Sequence, residues 1–248
     1  MIDVRRIDFV AEPVEDLGAA DAWYGETLGL PRNASTSGDR WVEYETGNLT
    51  VALSTFGGSI AFGVDDVADA RSRLEAAGVE FDMDTFDTGV CHGAPFKDLF
   101  GNQLQLHHRY APVDPYEKGP THIERTDFVS IPVTDRERGI EFYGETLGLT
   151  RNERAHPEWP EFEPGNATLL LVTPEQIGAE FKPSAYGVAL RVPDVPAEME
   201  RLQSAGVPFL QEDVFDSSVC HMGFCSDLDG NAFILHRRYA PYADGSTP

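Results

Sequence analysis

The chain has 248 residues, enough for one large domain or two ordinary ones, and its 41% hydrophobic and 25% charged content is that of a folded globular protein rather than a disordered one. With 42 acidic residues against 19 basic ones it carries a formal charge of −23, a field that repels nucleic acid and anionic lipid and so argues against either as a partner. No apolar run is long enough to cross a bilayer and the opening MIDVRRIDFVAEP lacks a secretory apolar core, so a cytoplasmic location is expected.

In chain order, Ile7–Val14 reads as a short strand. Asp16 then stands where a helix N-cap belongs, Leu17, Ala20, Tyr24 and Leu28 share one helical face, and Gly29 stops the helix. Two strands follow, Arg40–Thr46 and Leu49–Thr55, turned by Gly47-Asn48. Ile60–Val64 is the next strand, Asp66 caps a helix running to Ala77, and Gly78 ends it. Val79–Phe86, His92–Lys97 and Gln103–His108 complete the pattern of strand, helix and three strands, twice over.

The whole pattern then recurs. Asp8–Asn33 reappears as Asp127–Asn152 at an offset of 119 with 15 of 26 positions identical, Trp41–Leu53 matches Trp159–Leu171, and Val90–Pro112 matches Val219–Pro241 at an offset of 129. Two tandem domains are therefore expected, residues 1–113 and 123–248, joined by a polar, proline-bearing linker at 114–122 that contains Asp114–Pro120.

The strings FYGETLGL (Phe142–Leu149), VDDVADARSRLEAAGVEF (Val64–Phe81) and KDLFGNQLQL (Lys97–Leu106) resemble the vicinal-oxygen-chelate superfamily, the glyoxalase, bleomycin-resistance and dioxygenase group. The resemblance implies an α+β fold of four βαβββ modules in two tandem domains. Each domain is then a curled eight-stranded mixed sheet with helices outside and a ligand or metal within the cup. It further implies four metal-ligand positions per domain, filled in metal-dependent members by His, Gln or Glu. Here those positions align with Phe9, Ala52, Ser59 and Gln105, and with Phe128, Leu170, Gly187 and Ile234. Only Gln105 and Ser59 offer oxygen, too few donors to retain a divalent ion, so no metal and no other cofactor is expected.

Strand alternation places Gln103, Gln105 and His107 on the inner face, and Ala232, Ile234 and His236 on the inner face of the second copy. Cys91 and His92 are strand neighbours and face opposite ways, as are Cys220 and His221; alternation does not say which of each pair lines the cup. The three cysteines, Cys91, Cys220 and Cys225, are odd in number, form no CxxC pair and read as free thiols. Phe9 and Phe128, with Trp41 and Trp159, fill the core or form a stacking wall for a planar ligand. His107 and His236 either cap a strand or carry a proton, and Cys91 or Cys220 is a nucleophile only with a base beside it. The turns Asp98–Asn102 and Asp227–Asn231 read as structural.

The resulting expectation is a metal-independent small-molecule binding protein, monomeric or a weak homodimer, holding a partly aromatic or hydrophobic ligand in one or both cups. The alternative is a glyoxalase-like lyase or isomerase with His107 or His236 as general base. The first cup, with Gln103, Gln105 and Ser59, is expected to be the more polar of the two.

Overall fold

A computed structural model describes residues 2–33, 39–112 and 122–241, so Asp114–Pro120 of the expected linker lie outside the described residues. The first repeat runs β1 (Arg6–Pro13), α1 (Leu17–Ala22), β2 (Arg32–Asn33), β3 (Trp41–Glu45), β4 (Thr50–Ser54), β5 (Ser59–Gly63), α2 (Val67–Ala76), β6 (Phe86–Asp87), β7 (Cys91–Lys97) and β8 (Gln103–Arg109). The second runs β9 (Arg125–Pro132), α3 (Arg136–Glu141), β10 (Glu161–Phe162), β11 (Thr168–Val172), β12 (Gly187–Arg191), α4 (Val195–Ser204), β13 (Phe215–Asp216), β14 (Cys220–Ser226) and β15 (Ala232–Arg238). Two curled mixed sheets result, in the hydrogen-bonded orders β2-β3-β4-β1-β5-β8-β7-β6 and β10-β11-β9-β12-β15-β14-β13. The architecture is the expected α+β arrangement of tandem βαβββ modules.

The helices start and stop as their end residues dictate. Asp16, Asp66, Asp135 and Asp194 each accept a backbone N–H of the first turn. α1 and α3 both widen into a single π turn, Trp23–Thr27 and Phe142–Thr146, marked by Leu28 N–H donating to the Trp23 carbonyl at 3.0 Å and Leu147 N–H to that of Phe142 at 2.9 Å. That turn is where the buried Tyr24 and Tyr143 sit.

Two expectations need correction. The second sheet has seven strands, not eight. Where β2 pairs with β3 over two residues, its counterpart is a single bridge, Arg151 to Phe162. Pro160 and Pro164, in place of Val42 and Thr46, remove two donors on the β11 side and hold β10 to two residues. The expected strand Val79–Phe86 is likewise mostly irregular, touching β7 only through a bridge from Phe81 to Phe96 and the two-residue β6. Pro95 on β7 has no N–H to give an outer neighbour there.

Contacts cluster into two compact units that do not follow the repeat: Met1–Ala11 with Gly58–Pro115 and Ser130–Tyr186, and Glu12–Gly57 with Tyr116–Val129 and Gly187–Pro248. Each unit is sewn together by its asparagine and aspartate turns. In the first, the Asn166 amide accepts from Ile7 N–H at 2.9 Å and donates to its carbonyl at 2.8 Å. Asn102 donates to the Pro132 carbonyl at 2.7 Å, and Tyr143 donates to Asp98 at 2.7 Å. The second unit repeats the device: Asn48 takes both backbone groups of Thr126 at 2.8 Å, Asn231 donates to Pro13, and Tyr24 donates to Asp227 at 2.9 Å. The residues read as hairpin turns therefore also satisfy buried polar groups of the other repeat. Among the described residues no helix is long and apolar enough to cross a membrane.

Candidate functional site

The site grows out of an irregularity in β1. Ile7 pairs with Phe62 and Phe9 with Ala61, so Asp8 is an extra residue, a β-bulge. Without the bulge Asp8 and Phe9 would point to opposite faces. With it, both meet His107: Asp8 Oδ2 lies 2.6 Å from His107 Nδ1, and the Phe9 ring meets the imidazole edge-on at 5.3 Å between centroids. His107 sits on the same face because β5 and β8 run parallel with Gly63 opposite His107 and Ala61 opposite Gln105. Gly63 has to be small, since a Cβ there would lie 2.8 Å from the Asp8 carboxylate.

β7 supplies the third group. It runs antiparallel to β8 with Cys91 opposite Arg109, His92 opposite His108 and Gly93 opposite His107. Register partners share a face, so Cys91 joins Gln105 and His107 while His92 lies on the other side. There His92 stacks on Tyr110 at 5.0 Å, and His108 Nδ1 meets the Val64 carbonyl at 2.9 Å. The Cys91 thiol shares a 3.1 Å hydrogen bond with Thr88 Oγ1 and lies diagonal to His107 across the β7–β8 pair, on the same face.

The second repeat builds the same trio. Asp127 Oδ2 lies 2.6 Å from His236 Nδ1, Phe128 packs edge-on against His236 at 5.5 Å, and Cys220 shares a 3.0 Å hydrogen bond with Ser217 Oγ. Cys220 and His236 share a face because Cys220 pairs with Arg238 and Met222 with His236. His221 is on the opposite face against Tyr239 at 4.9 Å. That opposite face is the helix-covered one, where Met199 of α4 packs on Gly223.

These contacts reset the proton affinities. Burial by itself would push the His107 imidazole down, but the Asp8 and Cys91 hydrogen bonds outweigh it and hold the group at about 9; His236 reaches about 9 in the same way through Asp127 and Cys220. Burial works against the thiolate too, yet the histidine and hydroxyl hydrogen bonds bring Cys91 and Cys220 below the ordinary thiol value. Each site thus sets a thiol of lowered pKa beside a histidine of raised pKa that is braced by a carboxylate. A histidine that keeps its proton at neutral pH is suited to donate one, not to act as the general base anticipated from the sequence. All three cysteines are free, and Cys225 is the contrast: burial, with Asp227 and Glu198 nearby, pushes its thiol up to about 12.

Other expected site residues fall elsewhere. Gln103 donates to Asp82 at 3.0 Å and to the Phe96 carbonyl at 3.1 Å, both structural bonds. Ser59 is half-buried opposite Ala11. Trp41 and Trp159 belong to the other compact unit from the trios of their own repeats; the Trp41 indole donates to Glu43 at 2.7 Å. Asp8 and Asp127 escaped the sequence reading because strict alternation turns them away from Phe9 and Phe128.

The fold family implies a divalent metal, and the four aligned positions do not fit one. They hold Phe9, Ala52, Ser59 and Gln105 in the first repeat and Phe128, Leu170, Gly187 and Ile234 in the second. The donor chemistry is two oxygens at most, then none. Among the described residues no group of three or more His, Cys, Asp or Glu side chains is arranged to hold an ion.

The family model for the Glyoxalase/Bleomycin resistance protein/Dioxygenase superfamily matches residues 6–106 and 122–235. No curated protein matches the chain. Among solved structures it is similar to a Mn(II)-bound glyoxalase from Novosphingobium aromaticivorans, with TM-score 0.72 and 13% identity over 95% of this chain and 83% of that one. It is also similar to a catechol 2,3-dioxygenase, with TM-score 0.71 and 14% identity over 99% of this chain and 92% of that one. A third similar structure is the 2,3-dioxygenase LapB from Pseudomonas sp. KL28, with TM-score 0.68 and 13% identity over 100% of this chain and 97% of that one. At such identities the likeness is one of fold. The matched segments take in both repeats almost completely, and the chain belongs to the Glyoxalase/Bleomycin resistance protein/Dioxygenase superfamily.

Proposed function

We propose that the protein binds a small, partly aromatic molecule without a metal, on the sheet face opposite the helices, in one or both repeats. The observation that carries this reading is the pairing of Phe9 with the His107–Asp8 couple, repeated by Phe128 with His236–Asp127. Each repeat offers an aromatic edge for a ring and, beside it, a fixed cation for a carbonyl or carboxylate. The first repeat adds the Gln105 amide to that face, where the second has Ile234.

The test is calorimetric titration of chelator-washed protein with a panel of aromatic carboxylates and ketones, alongside elemental analysis. Binding that survives chelation and is lost on Phe9→Lys supports the reading. One tightly held ion per repeat, with binding abolished by its removal, overturns it.

A further inference from the structure

We propose that the cleft between the end of β4 and the Asp227–Asn231 hairpin is a docking site for an extended, basic peptide segment of a partner protein, Lys or Arg followed by Pro-Ser-x-Tyr in type. The site shares no residue with the His107 and His236 faces, so the inference goes beyond the ligand-binding reading and does not depend on it.

The duplication itself says what covers such a cleft. The two hairpins are the same turn. Asp98 and Asp227 donate their N–H to the Asn102 and Asn231 carbonyls, both at 3.1 Å, and Gly101 and Gly230 take φ of +84° and +85°. Each asparagine amide donates to a proline carbonyl, Pro132 at 2.7 Å and Pro13 at 2.9 Å. They differ in what lies on them. β11 and β12 are joined by fourteen residues, 173–186, and the end of that connection closes over the first hairpin. Pro183 sits 3.7 Å from where a Gly101 Cβ would be. Ser184 donates its N–H to the Asn102 side-chain oxygen and accepts from Gln103 N–H, both at 2.8 Å, and the buried Tyr186 donates its hydroxyl to the Gln103 carbonyl.

β4 and β5 are joined by only four residues, 55–58. Counting back from the aligned Ser59 and Gly187, Gly58 stands for Tyr186 and Phe56 for Ser184. Nothing lies within 4 Å of a Gly230 Cβ, and the Asn231 side-chain oxygen takes no hydrogen bond among the described residues. Phe100, whose ring lies 3.7 Å from where a Gly139 Cβ would be, is replaced by Asp229. The result is an open cleft of about 450 Å³ walled by Pro13, Val14, Glu15, Ser54, Leu228 and Asp229, with Thr55 and Gly57 at its edge.

The same comparison gives the chemistry of the occupant. The groups missing from the second hairpin are a proline over the glycine, a backbone N–H for the asparagine oxygen and a ring, and an extended Pro-Ser-x-Tyr segment supplies all three. The walls set its charge. Glu15 and Asp229 stand where the first hairpin has Thr134 and Phe100, and no basic residue lines the cleft. A cation beside the proline is therefore favoured, as Lys182 stands beside Pro183 in the segment that covers the first hairpin.

The experiment is fluorescence anisotropy of the full chain with a labelled synthetic peptide of its own segment Phe181–Gly187. Expected is saturable binding of one peptide per chain, weakened at least about tenfold by Glu15→Lys or Leu228→Asp in the protein, or by Lys182→Glu in the peptide. Both protein positions are exposed, so neither change threatens the fold. Leu99→Asp, the counterpart on the first hairpin, should leave binding unchanged. A chain in which residues 55–58 are exchanged for a copy of 173–186 carries its own occupant: peptide binding should vanish and the melting temperature rise by about 2 °C or more. No binding at about 1 mM peptide, or binding that neither Glu15→Lys nor Leu228→Asp weakens, overturns the proposal. So does concentration-dependent dimerisation abolished by Leu228→Asp, which gives the cleft to a second copy of the chain. Calorimetry keeps the two readings separate: wild type that binds aromatic carboxylates but not the peptide refutes the docking site alone.

Discussion

The two repeats hold the same three reactive groups in different surroundings, and the difference separates what the trio needs from what a ligand needs. In the first, Asp8 is steadied by Arg6 at 2.8 Å from the same strand and lies over Gly63. In the second, Gly63 is replaced by Arg191, which reaches Asp127 at 2.8 Å, with Arg125, the counterpart of Arg6, at 3.5 Å. The Asp127 carboxyl is held below its usual range because the His236 and Arg191 hydrogen bonds overcome burial. At the neighbouring position the Phe86 ring covers Gly93 in the first repeat, while Met222 fills that space in the second and Phe215 is left 41% exposed. The carboxylate–imidazole–thiol trio is thus tolerant of its neighbours; the Gln105 amide on that face belongs to the first repeat alone.

A second asymmetry is energetic. Glu12 is buried, its Oε1 has no hydrogen-bond partner, and burial followed by the charge of Asp227 pushes its carboxyl up to about 8 from 4.5; the matching residue is Ile131. A raised carboxylate pKa means the folded state resists ionisation. Its penalty is absent below about pH 4.5, grows as the pH rises, and is complete above about pH 8. Making the repeats alike with Glu12→Ile should raise stability on the order of 4 kcal/mol at pH 9 and far less at pH 4, read from urea unfolding at the two pH values. An equal gain at both would mean that charge is not the cause.

The carboxylates bracing the histidines come next. Asp8→Asn and Asp127→Asn should each cost about 1.5–3 kcal/mol, the range for a hydrogen bond to a charged group. Each should also drop its histidine from about 9 toward or below 6.5, followed by NMR titration of the ring protons. The fall should be deeper for Asp127→Asn, because Arg191 is then left beside an uncompensated imidazole. The linkage sign is that of a raised histidine: the stability it contributes is full below about pH 6.5 and lost as the pH rises through about 9. Histidines that titrate near 6.5 in the unaltered protein would break the comparison at its root.

Gly93→Met copies the second repeat into the first. Its side chain meets Phe86 and the Gln105 amide, so a cost of about 1–3 kcal/mol and loss of ligand binding at the first repeat are expected, by thermal unfolding and calorimetry. Undiminished binding would place the ligand elsewhere. The smallest effect should come from His92→Ala and His221→Ala: both face away from the trios, so stability should change within about 0.5 kcal/mol and binding not at all.

The duplication, the α+β class, the capped helices and the inward placement of Gln105 and His107 were all legible in the residues. They rest on short-range chemistry, N-cap aspartates, C-cap glycines and strand alternation, that operates within a few residues. The shortening of β10 was legible in principle, since Pro160 and Pro164 are written in the sequence. Whether Cys91 or His92 lines the cup was not, because alternation fixes only that they differ; the register with β8 decides it.

What the sequence by itself determined is a twice-repeated scaffold whose usual ligand positions carry mostly rings and aliphatic groups. What only the tertiary structure decided is that Asp8 reaches His107, 99 positions away, and Asp127 reaches His236 across 109. In the first repeat the physical reason is one inserted residue. A bulge breaks the period of two, turns a carboxylate toward the face that alternation denies it, and gives the His107 imidazole a charged partner.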